Sequence, residues 1–105
     1  MGLINTNYKV LNTTTTAYAA ISKLVIEGAS GYAIFTISDV RENAIRGNGI
    51  KNVRIDFNVS RNENPFITAY NAAKTEIHTI TNMVNGELVE VEEKGTLNDW
   101  KDNIV

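Results

Sequence analysis

The sequence predicts an α+β domain, mainly antiparallel β-sheet with one helix packed on it. Three observations carry that expectation. Val53, Ile55, Phe57 and Val59 alternate strictly with Arg54, Asp56, Asn58 and Ser60, the period of a strand with one face buried and one wet. Asn64-Pro65 is a helix start, with asparagine able to cap and proline at the first helical position, where its missing N–H costs nothing. Asn85-Gly86 followed by Glu87-Leu88-Val89-Glu90-Val91-Glu92 signals a type I′ hairpin.

The remaining elements follow in chain order. Ala17 to Glu27 offers a helical face from Ala17, Ile21, Leu24 and Val25, yet Thr13 to Thr16 and Val25-Ile26 favour a strand, so propensity leaves this segment open. Tyr32 to Val40 is rich in β-branched and aromatic residues and is entered from Gly28-Ala29-Ser30-Gly31, which predicts a strand. A second strand is predicted over 51 to 60. The connection 41 to 50, with Gly47-Asn48-Gly49, reads as a loop that joins the two into a long-looped hairpin. From Asn64 the stripe Phe66, Ala69, Tyr70, Ala73 and Ile77 predicts a helix reaching about Lys74. Beyond it, β-branched Thr75, Ile77, Thr79, Ile80 and Thr81 favour a short helix plus hairpin over one long helix. Were both 17 to 27 and 64 to 84 helical, the order would be βαββαβ, the ferredoxin-like alternative.

A chain of 105 residues has room for one core, so 1–105 is expected to be a single domain, with 95–105 as a loosely held tail. Apolar residues at 43% and charged residues at 21% are globular values, well away from disorder. The net charge of −2 provides no general pull toward nucleic acid or anionic lipid. The absence of cysteine closes disulfide, thiolate and cysteine-zinc chemistry. No basic and apolar leader is readable at the N-terminus, so secretion by a signal peptide is not expected. Apolar runs such as Leu24-Val25-Ile26 are far short of the roughly 20 residues that cross a bilayer.

Chemistry is sparse. His78 is the single histidine, with Glu76 its near neighbour, and one histidine makes neither a triad nor a metal site; it reads as a surface residue. Glu87, Glu90, Glu92 and Glu93 lie on a strand-like run rather than in the alternation around a glycine turn that calcium loops need, and so read as the charge of a solvated edge strand. The glycine segments match neither a P-loop nor a dinucleotide fingerprint, and Phe57 lies on the core-side alternation where an RNA-stacking aromatic would have to face out. No catalytic, metal or cofactor-binding residues are assigned, the chain is expected not to be an enzyme, and no cofactor is expected.

Charge placement is the informative polar feature. Arg41, Arg46, Lys51, Arg54 and Arg61 face only Glu42 and Asp56 within 41–61, whereas Glu76 onward holds seven acids against Lys94 and Lys101. Such polarity suits phosphate binding, or docking of the basic side of one copy on the acidic side of the next, or an ordinary mixed surface. Trp100, in a polar tail with Ile104 and Val105, either packs on the chain's own sheet or anchors in a neighbouring subunit. The candidate partner interface is therefore Arg41, Arg46, Lys51, Arg61 and Trp100.

Taken with Ala17 to Glu27, Tyr32 to Ile37 and Val53 to Val59, the segment Asn64-Pro65-Phe66-Ile67-Thr68-Ala69-Tyr70-Asn71-Ala72-Ala73-Lys74 resembles small proteins encoded among phage and prophage tail and baseplate genes. In those, strands are followed by Asn-Pro-Phe, Ala-Tyr, a lysine and an acidic tail. The resemblance spans residues 17–102. It implies a virion structural or assembly role, no catalysis, partners that are further copies or other virion proteins, and a place in the virion or host cytoplasm; it transfers no functional residues. The alternative is a module binding nucleic acid or a host protein through the basic loop 41–51, with nucleic acid disfavoured by the overall charge.

Overall fold

A computed structural model describes residues 2–103. Seven strands and two helices run in the order β1 (Gly2–Val10), β2 (Thr13–Glu27), β3 (Ser30–Ser38), α1 (Arg41–Ile45), β4 (Lys51–Asn58), α2 (Pro65–Thr75), β5 (Ile77–Val84), β6 (Glu87–Lys94) and β7 (Lys101–Asn103). Five strands form one antiparallel sheet in the order β4-β3-β2-β1-β7, and β5-β6 form a separate two-stranded ribbon. The fold is thus α+β and mostly antiparallel sheet.

The ferredoxin-like alternative is not adopted. Residues 17–27 belong to β2, and α2 stops at Thr75, with Glu76 already extended. Small residues explain both the strand and its disguise. Ala17, Ala19, Ala33, Ala69 and Ala73 are buried in one cluster with Phe35, Ile37, Ile55 and Tyr70, so α2 lies close on this face of the sheet. The connection from β3 to β4 lies on the opposite face. It was expected as a plain loop but contains the one-turn α1, whose Ala44 is buried. Gly49 approaches so closely that a Cβ there would meet the Thr36 methyl at 2.6 Å. Ala20, Thr36 and Ser38 are buried as a result, and Thr36 Oγ1 lies 2.9 Å from both Ser22 Oγ and Asn52 Oδ1, which satisfies its burial. At Ser22 the β2–β3 register slips between Ile21 and Lys23; this bulge exposes the Ile21 N–H, which donates to the Tyr70 hydroxyl at 3.3 Å. Burial pushes the Tyr70 phenol above its ordinary pKa.

The helix cap forms as expected: Asn64 Oδ1 accepts from the Phe66 N–H at 2.9 Å. Just before it, Glu63 accepts from the Ser60 N–H and the Thr68 hydroxyl; the Ser60 side chain first, then the Thr68 hydroxyl and the Ser60 N–H, hold its carboxyl below the ordinary glutamate range. The expected stripe is narrower than its spacing suggested. Ala69, Tyr70 and Ala73 are buried, but Phe66 is 50% exposed and Ile77 begins β5.

The segment from Gly95, expected as a loose tail, is tied down as far as Asn103. Leu97 is fully buried, β7 pairs with β1, and Lys74 bridges Asp102 at 2.9 Å; Ile104 and Val105 lie outside the described residues. Strand β1, which showed no signal in the sequence, joins β2 through a turn where Leu11 takes φ 56° and is 95% exposed. A leucine in the left-handed region costs about 1–2 kcal/mol, and a glycine there costs about 0.5–1 kcal/mol in chain entropy. Leu11→Gly is therefore expected to stabilise the chain slightly, with a rise of a few degrees in Tm by thermal scan; an unchanged or lower Tm would show that the turn is not strained.

Candidate functional site: a projecting ribbon and a basic edge

The β5-β6 ribbon departs from the body at the end of α2, and its base is clamped. The Gly95 N–H donates to the Glu76 carbonyl at 2.9 Å, the Asp99 N–H to the Lys74 carbonyl at 3.1 Å, and the Asn98 amide to Glu76 at 2.8 Å. Lys94 bridges Asp99 at 2.6 Å. Among the described residues no helix or strand of the body makes more than a slight contact with it. The tip is the expected type I′ turn, with Asn85 at φ 51° and Gly86 at φ 82°. Each strand has 8 residues, a reach of about 26 Å at roughly 3.3 Å per residue.

Directly opposed residues share a face of the ribbon. The pairs Ile80–Val91, Asn82–Val89 and Val84–Glu87 place Ile80, Val84, Val89 and Val91 together on one side. Thr79–Glu92 and Thr81–Glu90 lie on the other, with Met83–Leu88 at the tip. The result is a ribbon with exposed apolar residues on both sides: Val84, Val89 and Val91 on one, and Met83 (69% exposed) and Leu88 (73% exposed) beside the threonines and glutamates of the other. The acidic run, expected on a solvated edge strand, lies on β6, an exposed strand of this two-stranded ribbon.

The residues singled out by charge are dispersed. Arg41 opens α1 beside Ile4 and Tyr18, and Arg46 caps the same helix and is exposed. Lys51 opens β4, and Arg61 follows it in an exposed turn. Arg54 lies between them, its guanidinium 4.0 Å over the Tyr32 ring and 3.1 Å from Asp56. Since β4 is the terminal strand of the sheet, Lys51 and Arg61 mark the two ends of a basic edge, with Arg54 between them turned onto Tyr32 of β3 and paired with Asp56. Arg41 does not belong to that edge. Trp100 does not belong to it either: it is 7% exposed, with its ring edge-on to Tyr8 at 5.7 Å, so it packs on the chain's own sheet and is not presented as an anchor.

His78 contacts Glu76 through Nε2 at 3.2 Å and is largely exposed. Among the described residues no group of three histidine or acidic side chains is placed to hold a metal ion, and no helix is long and apolar enough to cross a membrane. A shallow hollow of about 380 Å³ is lined by Val25, Glu27, Ser30, Tyr32, Arg54 and Asp56, and its Arg54 and Asp56 are already paired with each other. The exposed apolar residues of the ribbon were missed in the sequence, because the pattern Leu88-Val89-Glu90-Val91 does not say whether anything covers them. No protein-family model matches the chain, and neither does any curated protein or solved structure.

Proposed function

We propose that this chain is a non-catalytic structural subunit that works by self-association, of the kind encoded among phage and prophage tail and baseplate genes. The observation that carries the reading is the ribbon. An isolated two-stranded hairpin is marginally stable in water, and this one leaves Val84, Leu88, Val89 and Val91 exposed at the end of a hydrogen-bonded base. Such an apolar surface on an otherwise ordinary domain marks a contact site. Assembly would cover it and would stabilise the ribbon at the same time.

Light scattering on the purified 11.6 kDa chain across concentration, at low and at high salt, tests the reading. A defined oligomer is expected, weakened by salt because part of the attraction lies between exposed charges. A strict monomer at every concentration and salt overturns it.

A further inference from the structure

We infer that copies join head to tail, the β6 strand of one ribbon adding to the free edge of β4 in the next copy. This rests on the self-association reading and specifies its geometry. Strand β4 ends the sheet and is 8 residues long, the same as β6, so an added strand finds a matching row of backbone donors and acceptors. The opposite edge is poorer, since β7 has 3 residues and its Asp102 is held by Lys74.

Charge selects the pairing. The ribbon carries Glu87, Glu90, Glu92 and Glu93 against Lys94, while β4 and its following turn carry Lys51, Arg54 and Arg61 against Asp56 and Glu63. A two-fold contact of ribbon with ribbon would oppose glutamates, and one of β4 with β4 would oppose bases, each costing affinity. Only unlike surfaces attract, so the contact is heterologous and either closes into a ring or extends as a filament. Apolar complementarity points the same way. The helix packed beside β4 is α2, and its Phe66 and Ile67 are half-exposed, ready to receive Ile80, Val84, Val89 and Val91 as the sheet is extended.

The test is a charge swap read by light scattering. Two variants are made, Glu90→Lys with Glu92→Lys on the ribbon, and Lys51→Glu with Arg61→Glu on the edge; all four side chains are exposed, and circular dichroism checks that both variants fold. Each alone is expected to need at least about tenfold more protein to assemble than the wild type, and an equal mixture of the two is expected to regain wild-type mass. An edge variant that assembles like the wild type overturns the head-to-tail geometry while leaving self-association standing. A mixture that stays dissociated overturns it too. A wild-type chain that is itself monomeric overturns both, and retention of a single-stranded oligonucleotide by that monomer would identify nucleic acid as the occupant of the basic edge.

Discussion

Truncating Phe35 to alanine is expected to remove about 3–5 kcal/mol of stability, the loss typical of a buried ring. Phe35 lies in β3, inside the sheet, between Ile21 on β2 and Val53 on β4. It is fully buried, and its ring meets Tyr70 edge-on at 5.2 Å and 83°. The residues that would have to fill the vacancy are poorly suited to do so. Ala33, Ala69 and Ala73 are short, and they are fixed on a strand and on a capped helix, so the cavity stays open. Against a typical total of about 5–15 kcal/mol, such a loss takes most of the margin of a small domain. In urea the midpoint should fall with little change in slope. A loss below about 1 kcal/mol would mean that the helix does not close on the sheet at Phe35.

The central strands and the helix were legible where one signal had one meaning. In β4 each side chain has a single environment, core or water, so the alternation of Val53, Ile55 and Phe57 came through unbroken. Asn64-Pro65 and Asn85-Gly86 act through backbone conformations that few other residues favour, and both formed where expected. Strand β2 was illegible for a physical reason. It is covered by α2 on one side and by the 41–50 connection on the other, which demands small residues, and the alanines that satisfy the packing are also the best helix formers. Its bulge at Ser22 then breaks the period midway. Strand β1 was hidden by its turn, where Leu11 occupies a conformation that sequence patterns assign to glycine. Of the interface candidates, the charges of β4 were readable because arginine and lysine clustered in sequence. Their separation from Arg41 and Trp100 depends on which strand ends the sheet, and spacing along the chain does not encode that.

Trp100→Ala is expected to destabilise the chain by about 3–5 kcal/mol, the range for a buried tryptophan, and this separates its two readings. Were Trp100 an anchor for a neighbour, the variant would melt like the wild type and fail only to associate. Its position predicts the reverse. The indole is 7% exposed against Tyr8 and sits between buried Leu97 and the β7 strand that pairs with β1. Removing it loosens the segment whose Gly95 and Asn98 bonds hold the base of the ribbon. Stability should therefore fall in the monomer, and assembly should weaken as a consequence of the unclamped ribbon. The chain has 1 tryptophan, so its fluorescence reports on this site alone. Wild-type emission is expected to be that of a buried indole, the same in dilute and concentrated protein, and to shift to the red only on unfolding. Emission that shifts on dilution while the fold persists would place the ring in a contact between copies and return Trp100 to the interface.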